Sequence, residues 1–524
     1  MHSLVRVVTS SESAARDSSA IAGGIPSRAL MQRAGAAAAA EIALRYRDRL
    51  DSGVLVLIGP GNNGGDGWVI ARALRSAGVR VRVAEPVPAK TDDARAERTL
   101  AIETFSADEI TALSTTVSDR GEAIVLDALL GTGATGAPRG EIAAAVAVAN
   151  EMRARGAVVV AIDVPSGVDA STGATAGVAI HADLTLAFGA MKRGLVCNRD
   201  TCGAIAVLDI GLPAGDGGDL VPRLVDERWV AENVPPIGAE AHKGIRKKIA
   251  IVGGAQGMAG ATILAARAAL RSSAGMVKVV VAKESFAAVQ EAEPYALAST
   301  WPVDDAEVSE SITGWADAVV IGPGLGRSNA SRETLERVLR VWRGPTLLDA
   351  DALTLWEGRT SELAALLGGR PALITPHPVE FSRISGASVE EVLNSRFDIG
   401  ARVAAELSVV VLLKGVPTVI TAADGRRLVS ASGTPALAAA GSGDVLSGIG
   451  GVMLAQIGDP FAAAAVSAWV HGRAAERVPV PPGSGVRGIV LDDIVNELRD
   501  AWTFDTRPNR YPVLAELPGV PLAQ

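Results

Sequence analysis

Aromatic residues, cysteines and long apolar runs are scarce in this chain, and each shortage excludes a class of protein. Aromatic residues make up only 3% of the 524 residues, so a core must be built from Ala, Val, Leu and Ile. Two cysteines, Cys197 and Cys202, supply neither a disulfide framework nor a zinc quartet, and we expect two ordinary thiols. The longest apolar stretches, such as residues 461–470, are too short to span a bilayer. The N-terminus shows no secretory signal, so we expect a cytoplasmic, soluble protein without a membrane partner.

Basic charge is also in short supply. The chain has 50 Lys and Arg residues against 58 Asp and Glu residues, which gives a net charge of −8 at pH 7. Nucleic-acid binding draws most of its affinity from neutralised phosphates and needs a basic surface. We therefore expect no nucleic-acid partner, while a local pocket for a small phosphorylated ligand stays compatible with the composition.

Small and aliphatic residues are abundant, and their order predicts an α/β fold. Hydrophobic residues make up 48% of the chain, which also contains 57 glycines. Short apolar runs alternate with Ala-rich helical patterns, as in doubly wound sheets. Most runs are continuously apolar, which is typical of parallel strands covered on both faces, whereas residues 79–83 alternate with arginines and are expected nearer an edge. The predicted strands are residues 54–58, 79–83, 123–126, 157–162, 184–188, 205–208, 248–252, 276–281, 318–321, 346–348, 372–374, 409–413 and 418–421.

The length and one break in the pattern predict two domains. At roughly 100–200 residues per domain, 524 residues suggest two or three domains. Between Pro213 and Pro236 the pattern gives way to Gly, Asp and Pro. We expect α/β domains at residues 1–218 and 241–505, a linker at 219–240 and a Pro-rich coil tail at 506–524.

The most informative motif lies in the first half, in residues 59–67. It reads Gly-Pro-Gly-Asn-Asn-Gly-Gly-Asp-Gly and stands between the strand at 54–58 and a helical pattern from Trp68. Strand, glycine turn and helix form an anion site, because backbone N–H groups and the helix dipole favour phosphate. The spacing also fits a dinucleotide-binding dehydrogenase. However, Asn-Asn-Gly-Gly-Asp is foreign to that pattern, and Glu85 is the only candidate for its ribose-binding acid.

Further loops follow other predicted strands of this half, at residues 127–133, 163–169 and 187–194. Ligands of open parallel sheets bind beyond the carboxyl ends of the strands, so these loops should line one crevice. Oxygen-rich side chains suit a hard cation, and Asp163 at a strand end is a candidate acid or base. The crevice should contain Asn62, Asn63, Asp66, Asp127, Asp163 and Ser166.

Taken together, these motifs resemble the NAD(P)H-hydrate epimerases over residues 20–215. The resemblance rests on Leu30-Met31-Gln32-Arg33-Ala34-Gly35, on residues 61–67, 127–133 and 163–167, and on the Lys192 loop. It implies a Rossmann-like three-layer α/β/α domain and a potassium ion held by Asn63, Asp127 and Ser166. The implied substrate contacts are Asn62, Asn63, Gly64, Gly65, Asp66, Gly131, Thr132, Gly133, Ala134, Thr135, Gly136, Ala137 and Asp163.

The reaction implied by this resemblance inverts C6 of hydrated NADH or NADPH. That carbon is a carbinolamine, so losing and regaining its hydroxyl, or opening and reclosing the ring, needs proton transfer and little else. Our hypothesis is that Asp163 moves the proton.

The second half carries a phosphoryl-transfer pattern in residues 440–448, Ala-Gly-Ser-Gly-Asp-Val-Leu-Ser-Gly. A glycine-rich turn that opens a helix can hold phosphate, and Asp444 within it can accept a proton from a hydroxyl. Other strand-end loops accompany it at residues 322–326, 349–351, 375–378 and 414–418. His377, between two prolines, is either a ligand contact, which we favour, or an ordinary polar loop residue.

This second pattern resembles the ribokinase-like superfamily, and within it the NAD(P)H-hydrate dehydratases, over residues 240–500. The resemblance implies that Asp444 is the base, that magnesium offsets charge, and that ADP or ATP donates a phosphoryl group to the C6 hydroxyl. The implied hydrate contacts are Ala261, Gly324, His377 and Asp444. The implied nucleotide contacts are Lys414, Gly415, Val416, Pro417, Thr418 and Gly443.

Two other interpretations share these motifs. One is a small-molecule kinase, for a vitamin or sugar, fused to a nucleotide-binding module; it would release a stable phosphorylated product. The other makes the first half a non-enzymatic nucleotide sensor or scaffold. Family resemblance and Ala-rich helical surfaces also lead us to expect a homo-oligomer.

Overall fold

A computed structural model of the chain describes residues 4–106, 109–111, 121–213, 218, 220–481 and 484–521. The chain divides into two compact units. The N-terminal unit comprises Val5–Gly218 and Pro508–Val520, and Asp219–Arg507 makes up nearly all of the C-terminal unit. Within the described ranges, no helix is both long enough and apolar enough to cross a membrane.

The strands follow the predicted runs closely. Each predicted run overlaps an observed strand, with ends that differ by two residues at most. In chain order the strands are β1 (Val7–Val8), β2 (Val54–Ile58), β3 (Val81–Ala84), β4 (Ile110–Thr111), β5 (Ile124–Ala128), β6 (Val158–Ile162), β7 (Leu184–Phe188), β8 (Met191–Lys192), β9 (Ala204–Leu208), β10 (Arg223–Leu224), β11 (Lys248–Gly253), β12 (Met276–Val281), β13 (Leu297–Thr300), β14 (Ala318–Ile321), β15 (Thr346–Leu348), β16 (Ala372–Ile374), β17 (Val410–Leu413), β18 (Thr418–Thr421), β19 (Arg427–Ser430) and β20 (Val513–Leu517).

Helices separate most of the parallel strands. They are α1 (Ser10–Ala22), α2 (Ser27–Arg45), α3 (Asn62–Ser76), α4 (Asp92–Ile102), α5 (Gly140–Ala154), α6 (Arg193–Cys197), α7 (Arg199–Cys202), α8 (Glu227–Asn233), α9 (Ala259–Arg271), α10 (Phe286–Ala292), α11 (Asp305–Val308), α12 (Asn329–Val341), α13 (Asp351–Thr354), α14 (Thr360–Leu367), α15 (Pro378–Ser385), α16 (Val389–Asn394), α17 (Gly400–Leu407), α18 (Ser442–Ile457), α19 (Pro460–Arg477) and α20 (Leu491–Ala501). Short 3-10 segments span Arg47–Ser52, Lys283–Ser285 and Pro435–Leu437, and a π-helical turn spans Ser309–Thr313.

The N-terminal unit is built on a sheet in the order β20-β9-β7-β6-β5-β2-β3-β4, as far as the described residues show. All neighbouring pairs are parallel except β20 with β9. Alternate residues of β2 enter cores on opposite faces: Val54, Val56 and Ile58 pack on one side, and Leu55 and Leu57 on the other. The continuous apolar run therefore reflects burial on both faces. β3 lies next to the edge strand β4, which confirms the predicted position of the arginine-containing run.

The prediction of coil after Asp505 is wrong for residues 513–517. They form β20, which pairs antiparallel with β9 at the edge of the N-terminal sheet. Ala515 and Leu517 are buried there. The short run Val-Leu-Ala-Glu-Leu was hidden among prolines, and its partner strand lies about 300 residues earlier in the chain. Pairing at that separation depends on tertiary structure and leaves little local signal.

The C-terminal unit contains a second sheet, whose described strands run β10-β19-β18-β17-β16-β15-β14-β11-β12-β13. The pairs from β17 to β19 are antiparallel, and the other pairs are parallel. Alternate residues of β11 again enter cores on opposite faces. The carboxyl ends of β15, β16 and β17 are neighbours, so the loops that follow them lie along one edge of the sheet.

The linker prediction is wrong for part of its range. Residues 223–224 form β10 and residues 227–233 form α8, and both belong to the C-terminal unit. Leu224 and Val230 are buried in that unit. These elements are too short to show a helical or strand period in the sequence, and their burial stabilises them.

Candidate active sites

In the N-terminal unit, the glycine-rich motif is mostly helix. The sequence predicted a loop up to Gly67, but α3 already begins at Asn62, with Gly61 as its N-cap. A Cβ on Gly59 would lie 1.6 Å from the Leu129 carbonyl oxygen, and one on Gly64 would lie 1.9 Å from the Gly59 carbonyl oxygen. The glycines therefore let the first turn of α3 pack against neighbouring backbone. The start of a fifteen-residue helix is left without a side-chain cap, which suits an anion.

The three predicted potassium ligands lie together beside this turn. Asp127, fully buried at the end of β5, accepts hydrogen bonds from Ser166 Oγ at 2.6 Å and from the Ser166 amide at 2.7 Å. Ser166 Oγ in turn accepts the Leu130 amide at 2.9 Å, and Asn63 Nδ2 donates to the Leu130 carbonyl at 2.9 Å. The structure thus connects Asn63, Asp127 and Ser166 through one loop.

This cluster fits a monovalent cation chemically. Asn63 Oδ1 is buried and has no hydrogen-bond partner. Burial raises the pKa of Asp127 to about 6, although its bonds to Ser166 act in the opposite direction. An unpartnered amide oxygen beside a buried carboxylate and a hydroxyl is a donor set that a hard cation would satisfy. Among the described residues, no group of three or more His, Cys, Asp and Glu side chains could hold a metal ion.

Asp163 is held by Lys192, a lysine to which the sequence analysis assigned no role. Lys192 Nζ donates a hydrogen bond to Asp163 Oδ1, and the Phe188 amide donates to the same oxygen at 3.1 Å. The Lys192 side chain is only 1% exposed, and its ammonium also donates to the Phe188 carbonyl at 2.8 Å. Asp163 has a φ of +64°, a left-handed conformation that costs energy in a residue other than glycine. A strained carboxylate with a buried counter-ion is a typical feature of functional sites.

Two more acids interact with this pair. Burial, together with the charges of Asp163 and Asp17, raises the pKa of Asp66 well above its usual value. Burial also raises the pKa of Asp17 on α1, and Lys192 opposes that shift. Asp17 lies outside every motif, so no sequence signal could have identified it. The site therefore combines carboxyl groups whose environments differ, which is the arrangement that acid and base roles require.

The other predicted substrate contacts of this unit lie on the loop between β5 and α5. A Cβ on Gly131 would lie 3.1 Å from Asn63 Cβ, so the loop begins directly beside the cation cluster. A turn closes between the Ala134 amide and the Gly131 carbonyl at 3.0 Å. The remaining loop residues, Thr132, Gly133, Thr135, Gly136 and Ala137, are half-buried or exposed, so a ligand could reach them.

In the C-terminal unit, the glycine-rich turn starts a helix as predicted. Gly441 is the N-cap of α18 and has a φ of +93°, which glycine adopts without strain. A Cβ on Gly443 would lie 3.2 Å from Lys414 Nζ and 3.6 Å from Asp349 Oδ2. The structure therefore brings the turn, the lysine after β17 and the carboxylate after β15 into one place.

Asp444, in the first turn of α18, has an environment suited to a base. Burial and the charge of Asp349 raise the pKa of Asp444 to about 7, and Lys414 opposes the shift. A carboxyl group with a pKa near the working pH can both accept and release a proton.

The predicted nucleotide loop, residues 414–418, begins at this lysine. A Cβ on Gly415 would lie 2.5 Å from Arg396 Nη1, which also donates a hydrogen bond to the Pro417 carbonyl at 2.8 Å. Thr418 Oγ1 donates to the Gly415 carbonyl at 3.2 Å, and Val416 is 63% exposed. Arg396 and Thr418 thus fix a loop whose tip presents an apolar side chain to solvent.

The predicted hydrate contacts occupy the same unit. Gly324 has a φ of +56°, and a Cβ there would lie 3.0 Å from Ala261 Cβ in the first turn of α9. His377 caps α15: its Nδ1 accepts the amides of Val379 and Glu380 at 3.2 and 3.3 Å. The same imidazole lies 3.3 Å from Glu380 Oε1 and remains 46% exposed. The capping role was not foreseen, and contact with a ligand stays a prediction.

Comparisons with known proteins find relatives of both halves of the chain. Residues 249–497 match the family described as NAD(P)H-hydrate dehydratase, and residues 27–194 match the family described as YjeF-related protein N-terminus. The chain is 36% identical to the bifunctional NAD(P)H-hydrate repair enzyme Nnr of Escherichia coli (strain K12), over 90% of this chain and 88% of that protein. It is 33% identical to the enzyme of the same name from Moorella thermoacetica, over 90% and 92% of the two chains.

A solved structure matches part of the chain. It is an ADP/ATP-dependent NAD(P)H-hydrate dehydratase from Bacillus subtilis co-crystallised with ATP and Mg²⁺, with 29% identity and a TM-score of 0.47. The match covers 53% of this chain and 96% of that one. The E. coli relative, by contrast, is matched over most of its length and across both units. The chain therefore belongs to the family of bifunctional NAD(P)H-hydrate repair enzymes.

Proposed function

We propose that the N-terminal unit interconverts the R and S forms of hydrated NADH and NADPH at C6, and that the C-terminal unit dehydrates the S form with ADP or ATP as phosphoryl donor. Family membership supports the two activities. The observation that carries the residue assignments is the lysine near each proposed proton carrier: Lys192 donates a hydrogen bond to Asp163, and the charge of Lys414 acts on Asp444.

In the epimerase site, Asp163 is the proposed proton carrier. Both of its hydrogen bonds reach Oδ1, which leaves Oδ2 to exchange a proton with the C6 hydroxyl. Protonation lets that hydroxyl leave as water while the ring nitrogen supplies electrons to C6. Water then adds to the opposite face and returns the proton. Lys192 keeps Asp163 oriented throughout, since its ammonium is fixed by the Phe188 carbonyl as well.

The epimerase site also has a proposed cation. Asn63, Asp127 and Ser166 would hold potassium, and a bound ion would supply positive charge next to the anion-binding start of α3. The unpartnered Asn63 oxygen supports this assignment. The substrate contacts proposed for residues 62–66 and 131–137 surround the same cluster.

In the dehydratase site, Asp444 is the proposed base. It removes the proton of the C6 hydroxyl, whose oxygen attacks the terminal phosphorus of ADP or ATP. The bond from that phosphorus to the bridging oxygen breaks and releases AMP or ADP. The phosphate on C6 then leaves as the ring nitrogen donates its lone pair, and transfer of a C5 proton to water restores the double bond. Phosphorylation is needed because hydroxide is a poor leaving group.

The donor nucleotide is proposed to bind along residues 414–418 and at Gly443. Lys414 provides positive charge beside the turn, and the start of α18 provides amides for developing negative charge. Magnesium commonly enters such sites with the phosphate groups and would offset their charge, so we assign it no protein ligand. Ala261, Gly324 and His377 are the proposed contacts of the hydrate.

One assay tests the proposal with the full chain. Racemic NADH hydrate is incubated with the protein, magnesium and either ADP or ATP, and recovery of reduced-nicotinamide absorbance is followed. We expect recovery of all the hydrate at a rate well above spontaneous epimerisation. Recovery that stops near half would refute the epimerase activity. A stable phosphorylated product without regained absorbance would indicate the alternative small-molecule kinase. Cytoplasmic location and homo-oligomeric assembly remain predictions.

A further inference from the structure

Asp349, for which the sequence suggested no role, is a buried carboxylate of the C-terminal site with a partner on each oxygen. It follows β15 directly, and its side chain is 1% exposed. Oδ1 accepts a hydrogen bond from Lys414 Nζ at 2.8 Å, and Oδ2 accepts one from Ser447 Oγ at 2.7 Å. Both oxygens are thus used to connect the loop after β17 with α18.

Those contacts determine where the ammonium of Lys414 lies. Lys414 Nζ lies 3.8 Å from Glu380 Oε2 and directly under Gly443 of the helix-opening turn. Lysine has a flexible four-carbon stem and would otherwise sample many rotamers. A buried carboxylate that lost this partner would be strongly destabilised, so the pair is held in one geometry.

We propose that Asp349 is a positioning residue of the dehydration reaction: it anchors Lys414 against the first turns of α18 and so fixes the phosphoryl group relative to Asp444. The inference rests on the proposed function, in which Asp444 is the base. Asp349 itself need not touch the substrate, because its two oxygens are already occupied by Lys414 and Ser447. Its effect on the reaction passes through Lys414 and through its own charge.

The charge of Asp349 gives the proposal a separate readout. The charged groups that influence Asp444 are Asp349, Lys414, Asp351 and Glu380. After burial, Asp349 is the largest of the influences that raise the pKa of Asp444 to about 7. Replacing Asp349 with asparagine removes that repulsion and releases Lys414 toward Asp444. Both changes favour ionised Asp444, so the acid limb of the pH–rate profile should move to lower pH.

The experiment measures dehydration of purified S-form hydrate by the full-length Asp349→Asn variant. We expect kcat to fall about 10–100-fold, because small displacements of a positioning group cost up to about 10² in rate. We also expect the acid limb of kcat/KM to move down by about one pH unit, the size of a close like-charge effect. Asp351→Asn removes the same charge from a residue that bonds to Arg327 and the Gly326 amide, and it should shift the limb less.

Ser447→Ala separates the positioning effect of Asp349 from the effect of its charge. This variant keeps the carboxylate of Asp349 and loses only one hydrogen bond, so we expect a lower kcat with an unmoved acid limb. Unchanged kcat together with an unmoved acid limb in Asp349→Asn would overturn the proposal. If Asp349→Asn does not fold, Lys414→Met replaces it. Removal of that cation should lower kcat and move the acid limb to higher pH, and an unchanged kcat would overturn the proposal, because Asp349 is proposed to act by holding Lys414.

Failure of the proposed function would give a different pair of dehydration rates in the Asp444 and Asp349 variants. If Asp444→Asn kept wild-type dehydration, Asp444 would not be the base, and the limb would belong to another group. If Asp444→Asn were inactive while the Asp349 variant behaved like the wild type, only the positioning role would fail.

Discussion

Strand β20 should stabilise the N-terminal unit, although it is the last of the described strands in chain order. The perturbation is a chain that ends after Arg507, which removes β20 and the segment leading to it. Leu517 and Ala515 are 7% and 2% exposed, and β20 forms a ladder with β9. Burial of a leucine contributes about 1.5–3 kcal/mol, and each ladder hydrogen bond contributes about 0.5–1.5 kcal/mol. We therefore expect the N-terminal unit to lose about 3–6 kcal/mol.

A loss of that size is a large share of a domain's stability, which is typically about 5–15 kcal/mol. The truncated chain should lose epimerisation at a much lower urea concentration than the full chain does. Dehydration provides an internal control, because α18 and β17, which carry its proposed residues, belong to the other unit. Removal of β20 also exposes the edge of β9, so aggregation of the truncated chain should increase.

The matched point variants are Leu517→Ala and Glu516→Ala. Leucine-to-alanine changes in a core cost about 2–5 kcal/mol, so Leu517→Ala should reproduce much of the effect. Glu516 is 45% exposed and pairs with Arg45, and loss of such an ion pair costs about 0–1 kcal/mol. Equal urea midpoints of epimerisation for the truncated and full chains would refute the reasoning.

Further predictions concern the two sites. Asp444→Asn should lower dehydration about 10²–10⁴-fold and leave epimerisation intact; wild-type-like dehydration would contradict the base assignment. Asp163→Asn should stop epimerisation but not dehydration of the S form, and an unchanged rate with intact binding would make Asp163 only a binding residue. Because Asp444 must be ionised and its pKa is about 7, kcat/KM for dehydration should rise about tenfold per pH unit below pH 6 and level off above about pH 8; a flat profile over that range would contradict it. Gly64→Ala should abolish epimerisation, since its Cβ would lie 1.9 Å from the Gly59 carbonyl, whereas Gly61→Ala, with no atom within 4 Å, should be tolerated; equal activity of the two would contradict the packing argument.

Much of the architecture was accessible from local sequence. Strands β2 and β11 are continuous apolar runs because both faces of each sheet are covered, so their positions could be predicted closely. The two glycine-rich motifs predicted that a helix begins at each proposed anion site, and these helices are α3 and α18. The motif of the first half nevertheless became helix six residues earlier than expected, at Asn62. Its glycines serve close packing against Gly59, Met31 and Ala128, which only the folded chain can show.

The sequence by itself determined the α/β class, thirteen of the twenty described strands and the resemblance to the two families, and it indicated Asp163 and Asp444 as proton carriers, because each depends on short-range order of residues. Only the tertiary structure decided that Lys192 holds Asp163, that Asp349 joins Lys414 to α18, and that β20 completes the N-terminal sheet. These pairs are separated by 29 and 65 residues, and β20 pairs with a strand about 300 residues away. Such contacts form because burial requires each charge to find a counter-ion and each strand edge a partner, and local sequence does not encode which distant partner that is.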